Sequence, residues 1–230
     1  MPVDKPYVRT LHIGKSEPLA DTGVDSSINK KPVDTPQKVT LTGLIHDEQS
    51  DKMHHGGVDK AIHQYAFEHY ETVWKQKIPD CNVLDHSGAF GENISSLGMT
   101  EKTVYIGDRY KIGSCVLEVS QARQPCWKLN YRFSFPRMSE EVQNSFLTGW
   151  YYRVIQEGEI QQGDTFELQE RPYPKYTLAY LLDVLYKDCL NEDKLQQALQ
   201  IKPLAESWKN IFRKRLETGK IENWERRLFK

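Results

Sequence analysis

The chain has 230 residues, 38% of them hydrophobic, enough to bury one good core and a small second unit. A formal net charge of −1 argues against a dedicated polyanion binder, so nucleic acid is not an expected partner. No stretch approaches the roughly 20 apolar residues of a membrane span, and Met1 to Gly14 lacks the apolar run of a signal peptide, so no membrane partner and a cytoplasmic location are expected.

From Tyr7 to about Leu168 the chain reads as short strands punctuated by glycine. Lys38 to Gly43 is the first strand candidate; a helix follows, with Phe67, Tyr70, Val73 and Trp74 at helical spacing and Pro79 as its stop. Thr103–Ile106, Arg109–Ile112 and Cys115–Ser120 are further strands, the last two joined by a Gly113-Ser114 turn. A second helix begins near Ser139, carries Glu140 and Glu141 in its first turn and ends before Gly149. Tyr151–Ile155 and Thr165–Leu168 complete the strand set, whose spacing predicts a closed or nearly closed antiparallel barrel.

After Arg171-Pro-Tyr-Pro174 the composition changes. Leu178, Leu181, Leu182 and Leu185 mark one amphipathic helix, Asn191 caps a second through Ala198, and Pro203 opens a third with Trp208, Ile211, Phe212 and Leu216 inward and Gly219 beyond its end. The expected fold is mainly β with α: a barrel domain with inserted helices over 1–172 and a small three-helix domain over 173–230. Between Lys202 and Lys230 nine basic residues face four glutamates; a solvated helix face is the ordinary reading of such a charge run.

Three clusters could carry chemistry. In Arg123-Gln-Pro-Cys-Trp-Lys128, Cys126 follows a strand and sits between two cations that would favour the thiolate, the nucleophilic and metal-binding form; a buried thiol acting as a small hydrophobe is an equal alternative. In His54-His-Gly-Gly-Val-Asp-Lys60, the Gly56 and Gly57 amides and Lys60 suit an anion, while His54 and His55 can exchange protons near neutral pH; a plain turn explains the same residues. In Gly88-Ala-Phe-Gly-Glu-Asn93, Asn93 can meet a heteroaromatic edge or merely brace a loop. The four cysteines lack C-x-x-C spacing, and no Walker A or G-x-G-x-x-G pattern is present.

Taken in order, Gly43-Leu-Ile-His-Asp47, His54-His-Gly-Gly57 with Asp59-Lys-Ala61, Gly88 to Ile94, Val104-Tyr-Ile-Gly-Asp108 and Gln121 to Leu129 resemble the MOSC family, and the helical tail resembles the domain that follows it in the YiiM-type subgroup. The resemblance implies a β-barrel that binds the molybdenum cofactor in its molybdopterin form, with Cys126 as the molybdenum ligand. It also implies reduction of N-hydroxylated bases such as 6-hydroxylaminopurine, R-NH-OH to R-NH2 plus water, with electrons from a separate reductase. Arg123, Lys128 and Lys60 are then candidates for the cofactor's anionic groups, together with Gly56, Gly57, Ser27 and Lys30. Asn93 and Asn130 are candidates for contacting the pterin or ordering the pocket, and His55 for proton donation. His46 departs from the pattern, since the family often has glycine there. Competing readings are a non-reducing cofactor or sulfur carrier, a zinc hydrolase using His54, His55 and Cys126, and an interaction module acting through its basic tail.

Overall fold

A computed structural model describes residues 5–50 and 56–230. Eight strands form one curled sheet: β1 (Tyr7–Ile13), β4 (Lys31–Val33), β7 (Ile62–Ala66), β8 (Ile94–Leu97), β9 (Arg109–Ile112), β10 (Cys115–Ala122), β11 (Trp150–Gln156) and β13 (Glu167–Glu170), in the order β13-β9-β10-β11-β7-β8-β1-β4. All pairs are antiparallel except β7 with β8. The segment before β13 bonds to the start of β1, through Phe166 N to Pro6 O (2.9 Å) and Val8 N to Asp164 O (2.8 Å), and so draws distant parts of the sheet together. Strands β5 (Gln37–Thr40), β6 (Gly43–Leu44) and β12 (Gly158–Ile160) form a second small sheet, and β2 (Glu17–Pro18) pairs with β3 (Asp25–Ser26).

The Gly113-Ser114 turn joins β9 to β10 as its residues require, with Gly113 at φ +56. Two insertions leave the sheet. One, between the parallel strands β7 and β8, holds a wide turn over Tyr70–Trp74, the short helix Lys75–Lys77 and the Gly88–Asn93 loop. The other, between β10 and β11, carries Cys126 and the helices Lys128–Arg132 and Met138–Ser145. The insertions share an aromatic core with β7: Phe90 stacks on Tyr65 with centroids 4.0 Å apart, and Trp74, Phe133 and Met138 close around them.

The C-terminal helices Leu178–Tyr186, Glu192–Leu199 and Glu206–Thr218 pack into the principal core, where Leu178, Leu181, Trp208 and Phe212 meet Val104, Ile106, Leu117 and Val119. The Asn191 side chain accepts a bond from Lys194 N, and Gly219 ends its helix in the left-handed region at φ +61. A last short helix, Glu225–Leu228, returns to the barrel.

Two expectations are corrected. Thr103–Ile106 is not a strand: Val104 N bonds back to Thr100 O (3.0 Å), the Asp108 carboxylate accepts from Tyr105 N (3.1 Å), and one bridge, Tyr105 to Thr177, replaces a ladder. Pro203 does not open the third helix, which begins at Glu206. The basic tail lies mostly on the surface, with Lys214, Lys220 and Arg226 exposed, Arg213 paired to exposed Glu206, and buried Arg215 paired to Glu222 (2.7 Å). Among the described residues no helix is long and apolar enough to cross a membrane.

Candidate functional site

His63 on β7 and Tyr151 on β11 are register partners whose rings lie 5.0 Å apart, and they form part of one wall of a cleft of about 590 Å³. Backbone register places them there, because neighbouring antiparallel strands align opposed side chains on a shared face. Four other segments complete the cleft: Ser26 to Lys30, Asp47 to Ser50, Phe90 to Asn93, and Arg123 with Cys126 and Lys128; Lys60 also lines it. Gly149, at φ +69, permits the close packing beside β7: a Cβ there would lie 2.4 Å from Gln64 O and 2.9 Å from His63 Nε2.

Cys126 stands where β10 has ended and the next helix has begun, and its carbonyl accepts from Leu129 N (3.0 Å). It is 9% exposed. Arg123 and Lys128, 6% and 7% exposed, flank it in the cleft. Arg123 Nη1 donates to Phe90 O (2.8 Å), and Lys128 Nζ donates to Asp25 O (3.2 Å). Among the described residues neither forms an ion pair. A buried charge costs free energy unless it is paired, so two such cations in one cleft could receive an anion.

Lys30 differs. It is buried against Asp47, which also accepts from Gly14 N (2.7 Å) and from Asn93 Nδ2 (2.9 Å). Asn93 in turn accepts from His63 N through Oδ1 (3.1 Å), so it braces three segments while lining the cleft. Glu92 fixes the loop before it: Gly88 N (2.7 Å), Phe90 N (3.1 Å) and Tyr70 Oη (2.6 Å) all donate to its buried carboxylate. That loop then presents the Phe90 carbonyl to Arg123. Burial first, and then the Arg123 charge, hold the His63 imidazole well below its ordinary range, while burial raises the Tyr151 hydroxyl. Among the described residues His63 Nε2 has no hydrogen-bond partner.

Of the expected site residues, Cys126, Arg123, Lys128, Lys60, Asn93, Lys30 and Ser27 share this cleft. Asn130 does not: its Nδ2 donates to Leu228 O (2.8 Å) and its Oδ1 accepts from Ser139 N (2.8 Å), which makes it a strut for the chain end. Gly56 and Gly57 are absent from the cleft lining, and Gly57 precedes the turn Val58–Lys60. His54 and His55 lie outside the described residues. His46 is exposed, outside the lining and not at positive φ, so its side chain stands there without backbone strain. Sequence reasoning missed His63, Tyr151 and Phe90 as wall residues. The polar His63-Gln64 pair inside an apolar stretch was the available signal for the first.

None of the four cysteines forms a disulfide. Cys115 is pushed up to about 12 by burial, and burial also raises Cys189. Cys126 is the cysteine in the cleft lining. Among the described residues no group of three or more His, Cys, Asp or Glu is placed to hold a metal ion.

The MOSC domain matches residues 51–167, and the YiiM-like, 3-alpha helix domain matches 177–219. Ser27, Lys30 and Asp47 lie before the first of these matches although they line the same cleft. Protein YiiM of Escherichia coli (strain K12) is 35% identical over 97% of this chain and 98% of its own length. A protein named Reductase from Gibberella moniliformis (strain M3125 / FGSC 7600) is 37% identical over 85% of this chain, which spans only 35% of that relative. The crystal structure of YiiM from Escherichia coli superposes with a TM-score of 0.81 at 31% identity, covering 98% of both chains. With its barrel, its helical tail and its sequence alike in agreement, the chain belongs to the MOSC-domain proteins of the YiiM type.

Proposed function

We propose that the chain is a molybdenum-cofactor-dependent reductase of N-hydroxylated compounds, R-NH-OH + 2 e⁻ + 2 H⁺ giving R-NH2 + H2O. The observation that carries this reading is the conjunction of Cys126 with Arg123 and Lys128 in one cleft, the two cations lacking carboxylate partners among the described residues. That donor set fits an anionic cofactor bearing a soft metal, since thiolate sulfur suits such a metal and buried cations suit a phosphate. A relative named Reductase supports the reaction type.

Cys126 Sγ would hold the metal, and Arg123 with Lys128 would offset the cofactor's negative charge. Lys60 and Ser27 would add polar contacts, and the Asp47 network would keep Lys30 and Asn93 in place. Neutral His63 adds no charge to the wall. When bound, the molybdenum centre supplies the two-electron chemistry that side chains lack. A separate electron donor is required; the exposed Lys214, Lys220 and Arg226 are candidates for steering it.

Protein expressed with molybdate and assayed with a small chemical reductant tests the reading. Wild type should reduce 6-hydroxylaminopurine, and Cys126→Ser should lose turnover. Undiminished turnover in the variant would sink it, and a molybdenum-loaded wild type without turnover would favour a carrier.

A further inference from the structure

The loop that presents Cys126 is held from the far end of the chain. Arg227 grips both neighbours of the cysteine: its guanidinium donates to Pro125 O, and its own carbonyl accepts from Trp127 N (2.8 Å). The same guanidinium donates to Oε1 of buried Gln143 in the helix Met138–Ser145, and it lies 5.6 Å over the Tyr186 ring at the end of the first C-terminal helix. The next residue continues the grip, its carbonyl accepting from Asn130 Nδ2 and from Ser139 Oγ, both at 2.8 Å. Lys230 donates to Thr22 O and lies 5.2 Å over the Trp127 ring.

Pro125 has no N–H, and beyond β10 the loop has no ladder to fix it. A charged donor on the Pro125 carbonyl and an acceptor for the Trp127 amide therefore pin the backbone on either side of the thiol. We propose that Arg227 is a positioning residue for Cys126, and that the strap Glu225–Lys230 lets the C-terminal domain set the orientation of the thiol in the cleft. The significance for metal binding rests on the reading of Cys126 as the metal-holding group; the positioning itself does not.

The test is the rate at which iodoacetamide labels Cys126 in metal-free full-length protein, followed peptide by peptide, with Cys81 as internal reference. Arg227→Ala should change the Cys126 rate about tenfold upward, as local opening exposes a 9% accessible thiol, while Cys81 labels at its wild-type rate. Arg227→Lys keeps one donor and should restore most of the protection. Asn130→Ala removes one of the two donors to the Leu228 carbonyl without touching Arg227 and should raise the rate in the same direction, more weakly; it serves if Arg227→Ala does not fold. A folded Arg227→Ala whose Cys126 labels at the wild-type rate overturns the proposal, as does an Asn130→Ala without effect where Arg227→Ala cannot be purified. Altered labelling alongside a wild type that fails to reduce N-hydroxylated substrate would leave the positioning role and remove the enzymatic reading.

Discussion

Lys128 buries an ammonium against a neutral carbonyl, Asp25 O at 3.2 Å, where a carboxylate would be the ordinary partner. In the cofactor-free protein such a group should cost stability. Lys128→Met should therefore stabilise that form by about 1–2 kcal/mol in urea unfolding while weakening cofactor retention; a loss of the same size would contradict the anion-site reading. His63 makes the complementary contribution to pH dependence. Its folded value lies well below 6.5, so as pH falls through 6.5 the unfolded chain takes up a proton first, and stability declines until the depressed folded value is passed. His12, also depressed by burial, acts with the same sign. His63→Gln should flatten the acid limb of stability against pH by up to about 1.4 kcal/mol per unit below 6.5, and an unchanged slope would show that the imidazole is not held neutral.

At the scale of elements, the Gly88–Asn93 loop is organised by one carboxylate, and Arg123 is placed by the carbonyl that this loop offers. Glu92→Gln should cost about 2 kcal/mol and reduce cofactor retention, because an amide replaces one charged acceptor shared by two amides and a phenol. Retention at the wild-type level, with the stability loss present, would separate the loop from the anion site. Elements with clear periodicity or punctuation were legible in the sequence: the β9–β10 hairpin with its Gly113 turn, the Asn191 cap and the Gly219 stop. β7 was not, because all five of its residues are buried and Ile-His-Gln-Tyr-Ala shows no alternation. Thr103–Ile106 misled for the opposite reason, since Val104 and Ile106 alternate like a strand but serve as buried plugs beneath the C-terminal helices. For the site, Cys126 and its flanking cations were legible as a local run, and their grouping with Ser27, Lys30 and Asn93 followed from the family resemblance. The strut role of Asn130 depends on a chain end 98 residues away, which no local pattern encodes.

Across the whole molecule, the barrel and the C-terminal helices share one hydrophobic core, and backbone bonds such as Ala205 N to Ser120 O (3.0 Å) and Leu178 N to Val104 O (2.9 Å) cross between them. Unfolding should be one cooperative transition. Trp208→Ala, which empties a fully buried site between the two parts, should lower stability by about 3–5 kcal/mol without splitting that transition, and two separate steps in wild type would contradict a shared core. This continuity lets a strap from residues 225–230 reach the loop of a cysteine at position 126. If Cys126 is the protein's hold on molybdenum, as proposed, X-ray absorption at the molybdenum edge of protein expressed with molybdate reads that bond. Wild type should show a sulfur ligand contributed by the protein, and Cys126→Ser should lose one sulfur together with most of its metal; an identical sulfur count and metal content in the variant would contradict that assignment.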